Sequence, residues 1–126
     1  MLGASFVSTA IHYTDNYLDI HDYPQPEWIT RPTVYVAWLL FTAAGAIGYW
    51  LYTSGRVVPS YLFLLIYSYT GTSSLGHYLY GGFSDFSAKM HFFIWLDALA
   101  GFAVMAFVVW SAMTDLRARK LSTPRP

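Results

Sequence analysis

The chain of 126 residues contains no cysteine. This absence excludes disulfide bonds, thiolate metal sites, cysteine nucleophiles and the attachment of haem through thioethers. Histidine and carboxylate side chains are therefore the only strong metal ligands that the chain offers. Charge is scarce too: charged residues make up 11% of the chain and the formal net charge is zero, so the sequence predicts no basic surface for a nucleic acid.

Familiar catalytic motifs are missing as well. The sequence has no HExxH pair, no glycine-rich phosphate loop, and no lysine within an apolar segment that could carry retinal. Any functional site must therefore be found from where the few polar residues lie.

Apolar and aromatic residues are abundant instead. Hydrophobic residues make up 56% of the chain and aromatic residues 20%, which is more apolar surface than a soluble domain of this length can bury. Three segments, at residues 33–52, 58–80 and about 91–113, have the length of about 20 residues that crosses a bilayer core of about 30 Å. The sequence thus predicts an integral membrane protein.

The N-terminal segment is polar along one side. Ser5, Ser8, His12, Asp15 and Asp19 fall on one helical face, together with Thr9 and Asn16. This pattern predicts either a fourth transmembrane helix with its polar stripe facing the bundle or an amphipathic helix at the membrane interface. The first is favoured because the segment has no lysine or arginine.

The predicted fold is an all-α membrane bundle of four helices in a single domain. The predicted helices cover residues 2–20, 32–53, 58–80 and 85–116, with Ser84 as the N-cap of the last. Residues 21–32 form a proline-rich extracytoplasmic connector, and residues 117–126 form a tail.

Basic residues predict the orientation. Arg56 and the basic tail fall on the same side of the three spans, and this side should be cytoplasmic. All four histidines then lie on the extracytoplasmic side. These histidines are His12, His21, His77 and His91.

The gathered histidines predict a cofactor site. His12, Asp15, His77 and His91 are the candidate metal ligands, and His77 and His91 could equally hold a tetrapyrrole. Iron, copper, zinc and manganese all suit such a set. The alternatives are structural: His77 bonded to a carbonyl or a tyrosine, His91 among lipid headgroups, and His12 with Asp15 at a solvated helix end. His21 is expected to be exposed.

Asp97 is the candidate catalytic residue. It lies about two turns inside an apolar span, where a charged side chain is costly. It could carry a proton or orient a ligand, or it could make a structural hydrogen bond between helices. Gly101, on the same face, would permit close helix packing, as would the small-residue pairs Ala44–Gly48 and Thr72–Gly76.

Three functions follow from these features. The first is a membrane protein whose His/Asp site binds a metal or haem and acts in redox or lipophilic-substrate chemistry. The second is a non-catalytic subunit of a larger membrane complex, which would associate with other subunits or with itself through small-residue faces. The third is a metal-free isomerase or cyclase with Asp97 and His77 as acid and base.

Overall fold

The computed structural model describes the backbone of residues 1–122 and the side chains of residues 1–115. Within this range the chain is all-helical, with no strand, and it contains the four helices that the sequence predicts. They are α1 (Leu2–Leu18), α2 (Arg31–Thr53), α3 (Val57–Thr72) and α4 (Ala88–Ser122). Short 3-10 helices cover Ser73–Leu79 and Phe83–Asp85. The side chains of the predicted basic tail lie outside the described residues.

Two helices are long and apolar enough to span a membrane. They are α2 and the stretch Ala88–Asp115 of α4. With 17 and 16 residues, α1 and α3 are shorter. Length and composition therefore support two of the predicted spans, and the crossing of a membrane stays a prediction.

The third predicted helix ends as a 3-10 helix instead of an α-helix. The hydroxyl of Ser74 donates to the carbonyl of Gly71 at 2.6 Å and to that of Ile94, in α4, at 2.9 Å. Such bonds from side chains to backbone carbonyls compete with the regular α-helical pattern. The chain tightens into the 3-10 helix Ser73–Leu79, where residues three apart share a face, so His77 follows Ser74 along one side.

The start of α2 is capped, and the start of α4 corrects the sequence prediction. Thr30 and Thr33 form a reciprocal capping box at the start of α2, which satisfies backbone donors that the first turn leaves free. The predicted start of the last helix at Ser84 is wrong. Asp85 accepts a bond from the Gly82 amide and closes a separate 3-10 turn, and Ser87 caps α4 by accepting from the Met90 amide at 3.3 Å.

Polar side chains are buried beside the apolar core, and large apolar side chains are exposed. The polar stripe of α1 faces the bundle, as one of the two sequence interpretations predicted. Its buried members are Ser5, Ser8, Thr9, His12 and Asn16. Large apolar side chains lie exposed on the outer faces of the longer helices instead. Examples are Leu39, Leu40 and Trp50 of α2 and Phe92, Leu99 and Trp110 of α4.

The closest helix contact joins α3 and α4 at Gly71 and Gly101. A Cβ on Gly71 would overlap the carbonyl oxygen of Asp97, and a Cβ on Gly101 would lie 2.6 Å from the carbonyl oxygen of Ser68. Only glycine permits this backbone approach. The predicted role of Gly101 is thus confirmed, whereas a Cβ on Gly76 of the Thr72–Gly76 pair would meet no atom within 4 Å.

Replacing Gly71 with alanine should destabilise the protein. The added methyl group must push α4 away, and overpacking of this kind costs about 1–3 kcal/mol. Thermal unfolding of the detergent-solubilised protein, followed by circular dichroism, measures the loss. Gly3→Ala is the matched control because its Cβ meets open space, and alanine there should stabilise the helix by up to about 1 kcal/mol. Equal stabilities of Gly71→Ala and the wild type would contradict the packing argument.

Candidate functional site

A cleft of about 370 Å³ opens between the second half of α1, the connector, the first turns of α2 and the end of α3 with its 3-10 helix. Its wall combines His12, Asn16, Thr70 and His77 with apolar and aromatic side chains. None of the described residues that line it is a lysine, arginine, aspartate or glutamate. Only the two histidines could become charged, by protonation. The cleft therefore has the apolar wall and the few polar groups that are typical of a small-molecule site.

His77 is held in the cleft by two hydrogen bonds. Its Nδ1 lies 3.1 Å from the carbonyl oxygen of Pro24 in the connector, and its Nε2 lies 3.3 Å from Nδ2 of Asn16. Because a carbonyl oxygen only accepts, Nδ1 carries the proton. Nε2 is then the acceptor and receives a hydrogen from the Asn16 amide.

Gln25 fixes the orientation of the Asn16 amide. Nδ2 of Asn16 also donates to Oε1 of Gln25 at 3.3 Å, and Nε2 of Gln25 donates to the carbonyl oxygen of Ile20 at 3.3 Å. Both Nδ2 hydrogens of Asn16 are thus used, and reversing either amide would bring two acceptors together. The resulting chain of bonds holds His77 as a neutral ring.

His12 lies beside His77 on the wall of the cleft. The two ring centroids are 5.7 Å apart, and the ring of Tyr23 lies 5.9 Å from His12 and 5.1 Å from His77. His12 is only 3% exposed. The structure therefore brings together two of the predicted ligands, with an aromatic ring packed against both.

Tyr23 connects this cluster to an ion pair at the end of the bundle. Its hydroxyl donates to Oδ2 of Asp15 at 2.7 Å, and Lys89 of α4 lies 2.7 Å from Oδ1 of Asp15 and 2.5 Å from Oδ2 of Asp19. Burial, and then the bond to Asp15, raise the pKa of Tyr23 well above its ordinary value of 10.0. The sequence predicted a role for Asp15 as a ligand, but both its oxygens are engaged.

Three polar atoms in the wall of the cleft have no hydrogen-bond partner. They are Nδ1 of His12, Oδ1 of Asn16 and Oγ1 of Thr70. The three residues are 3%, 5% and 1% exposed, and leaving a buried polar atom without a hydrogen bond costs about 1–3 kcal/mol. Buried polar atoms without partners are rare in native proteins, and their occurrence along one cleft marks it as the candidate site.

The four predicted metal ligands are not brought together. The described residues contain no group of three or more histidine, cysteine, aspartate or glutamate side chains placed to hold a metal ion. His91 lies in a separate aromatic cluster, where its Nδ1 is 2.7 Å from the Tyr78 hydroxyl and its Nε2 is 3.1 Å from the carbonyl oxygen of Phe83. The physical reason is that His91 packs with Tyr78 and Phe83, while Asp15 and the Nε2 lone pair of His77 already have hydrogen-bond partners.

Asp97 lies away from the cleft. It is fully buried, its Oδ1 accepts a bond from Ser8 of α1 at 3.3 Å, and its Oδ2 has no partner. His77 lines the cleft and Asp97 does not. The arrangement agrees with a polar contact between α1 and α4, and the predicted catalytic role of Asp97 stays a prediction.

Sequence reasoning missed the contribution of the connector. Tyr23, Pro24 and Gln25 hold the two histidines and Asn16, yet they follow no helical period and carry no motif. Asn16 was recognised as a member of the polar stripe, but its role in orienting His77 depends on a contact between residues 61 positions apart. His21, which the sequence predicted to be exposed, is exposed.

The orientation of His77 can be tested by nitrogen-15 NMR of histidine-labelled protein. The wild type should carry its proton on Nδ1, because Pro24 accepts there. Asn16→Asp should place a proton on Nε2, because a carboxylate accepts and cannot donate. Asn16→Leu is the matched variant and should leave the proton on Nδ1. A wild-type ring protonated at Nε2 alone would show that the proposed bond directions are wrong.

Tyr23 should make stability fall at alkaline pH. Above about pH 10 the unfolded chain releases the phenol proton while the folded chain, with its raised pKa, retains it. Unfolding becomes easier as the pH rises. Tyr23→Phe should cost about 1 kcal/mol near neutral pH through the lost bond to Asp15, and its stability should fall less steeply above about pH 10.

Unfolding curves in detergent between about pH 8 and pH 11 measure this slope. Tyr49→Phe, on an exposed position, is the control for the loss of a phenol. Identical slopes for Tyr23→Phe and the wild type would refute the linkage.

Comparison with known proteins does not assign a family to this arrangement. No protein-family model matches the chain, and neither does any curated protein or solved structure. The case for a function therefore depends on the residues of the cleft.

Proposed function

We propose that this protein is an integral membrane protein whose cleft binds a lipophilic small molecule with a polar end. The observation that carries the proposal is the coincidence of an apolar, aromatic cleft with three buried polar atoms that have no partner. The apolar wall suits the body of such a molecule, and the polar atoms suit its end.

The many buried polar and exposed apolar side chains support membrane insertion. Serine, threonine, histidine, asparagine and aspartate side chains are buried, while large apolar side chains are exposed on the outer faces of the helices. Water would penalise so many exposed apolar groups. A bilayer instead favours them and makes polar groups face the bundle.

The rim of the cleft supports access from the membrane interface. Trp28, Leu79 and Tyr80 line the cleft and are 71%, 83% and 58% exposed. Tryptophan and tyrosine favour the depth of the lipid headgroups. A lipophilic molecule in the outer layer of the membrane would thus reach the cleft without crossing water, with the histidine end on the extracytoplasmic side.

The residues of the cleft favour ligand binding over a metal site and over acid–base catalysis by Asp97 and His77. A metal would need the Nε2 lone pair of His77, which already accepts from Asn16. An acid–base pair of Asp97 and His77 would need both residues at the substrate, and only His77 lines the cleft. Neutral imidazole and amide groups can still orient a bound molecule through hydrogen bonds.

Photolabelling of the protein in carbonate-washed membranes tests both parts of the proposal. Three probes share a twelve-carbon chain with a diazirine and differ in their end group, which is an alcohol, a carboxylate or a trimethylammonium. Resistance to the carbonate wash shows insertion. Peptide mapping should then show saturable labelling of cleft residues by at least one probe, above the non-saturable labelling of the outer faces.

A variant that fills the cleft should abolish the saturable labelling. Gly76 lines the cleft, and a Cβ there meets no atom within 4 Å, so Gly76→Phe should fold and occupy part of the cavity. Gly3→Phe is the matched control, since Gly3 has equal space and lies outside the cleft. Absence of saturable labelling with all three probes, or extraction by carbonate, would reject the proposed function.

A further inference from the structure

We infer that the molecule bound in the cleft presents an uncharged hydrogen-bond donor, a hydroxyl or an N–H group, to Asn16 and Thr70. The inference rests on the proposed binding function and adds the chemical class of the ligand. It depends on which polar atoms of the wall are free and on the absence of charge around them.

Asn16 can offer the ligand only an acceptor. Its two Nδ2 hydrogens are committed to Gln25 and His77, and Gln25 is itself held by the carbonyl of Ile20. The amide therefore cannot turn over without losing both bonds. The free atom is Oδ1, and a carbonyl oxygen accepts hydrogen bonds but never donates them. The complementary group must carry a hydrogen.

Thr70 adds a second free group on the wall of the cleft. A threonine within a helix usually bonds its hydroxyl to a carbonyl three or four residues earlier, as Thr72 does toward Ser68. Oγ1 of Thr70 makes no such bond and is buried. A hydroxyl can accept from the donor of the ligand or donate to its oxygen. A ligand hydroxyl, which both donates and accepts, suits Asn16 and Thr70 together.

The surroundings of the cleft disfavour a charged end group. None of the described lining residues is a lysine, arginine, aspartate or glutamate, so neither an anion nor a cation would find an opposite charge. The nearest acid in the cluster, Asp15, is already paired with Lys89 and bonded to Tyr23. A charge transferred from water into such a place without a partner is strongly penalised.

The remaining residues of the wall indicate that the rest of the ligand is apolar. Ile29, Val34, Ala37 and Leu79 supply apolar surface, and Trp28 and Tyr69 supply rings. This wall would hold an alkyl or cyclic hydrocarbon part, and the volume of about 370 Å³ suits a small lipophilic molecule. The inferred ligand class is a long-chain or cyclic alcohol, phenol or primary or secondary amide.

The experiment compares the dodecyl alcohol probe with its methyl ether, which keeps the oxygen and the chain but lacks the hydrogen. The probes with a carboxylate or trimethylammonium end test for charge. The wild type should bind the alcohol about tenfold more tightly than the ether. This ratio corresponds to one lost hydrogen bond of about 1.4 kcal/mol. The concentration that half-saturates labelling of cleft peptides measures the affinity for each probe. Both charged probes should bind more weakly than the alcohol.

Thr70→Val is the decisive variant. Valine has the shape of threonine, and the hydroxyl that it removes has no partner in the protein, so the variant should fold with undiminished thermal stability. It should lower the preference for the alcohol severalfold. Thr42→Val is the matched control, because Thr42 also has a buried hydroxyl without a partner but does not line the cleft. It should leave the preference unchanged.

The outcomes separate this inference from the proposed function. Equal saturable labelling by the alcohol and the ether, abolished by Gly76→Phe, would leave ligand binding in place and overturn the inference about the donor. Preferential labelling by either charged probe would overturn it too, as would a preference that Thr42→Val and Thr70→Val reduce equally. Absence of saturable labelling by every probe would reject both.

Discussion

The contact between Gly71 and Gly101 is the constraint on which the rest of the bundle depends. Backbone meets backbone there, with no side chain between the two helices. Near the same contact the Ser74 hydroxyl donates to the carbonyl of Ile94 in α4, and Asp97 of α4 accepts from Ser8 of α1. The glycine contact thus lies among the polar bonds that join α1, α3 and α4.

The position of the cleft follows from this arrangement. Beyond Ser74 the chain continues as a 3-10 helix, which carries His77 toward α1 and the connector instead of along the axis of α3. Asn16 and Pro24 then complete the bonds of the ring. The two amides hold part of this wall through hydrogen bonds, and the buried polar atoms of its described residues that have no partner belong to His12, Asn16 and Thr70.

The helices were predictable because a period of 3.6 residues and an apolar composition leave strong marks on a sequence. The same period marked the stripe through Ser5, His12 and Asn16, and the lack of lysine and arginine in the segment favoured its inward direction. The 3-10 end of the third helix was not predictable, and it coincides with a bond from Ser74 to a carbonyl twenty residues away, which no local period reveals. The separation of His91 from His12 and His77 was not predictable either, because topology places residues at one end of a bundle without specifying which of them touch. The stacking of His91 on Phe83, with centroids 4.0 Å apart, draws that ring into a different cluster.

The attachment of α1 to its neighbours has a consequence for the proposed insertion into a bilayer. A helix of 17 residues extends only about 25 Å at about 1.5 Å per residue, less than a hydrocarbon core of about 30 Å. Alone, such a helix would have to thin the lipid around it. Here Lys89 of α4 is bonded to Asp15 and Asp19, and Arg31 of α2 donates to the carbonyl of Tyr17. In the proposed membrane protein, these bonds would tie the depth of α1 to that of the two longer helices, so that its shortness need not deform the membrane.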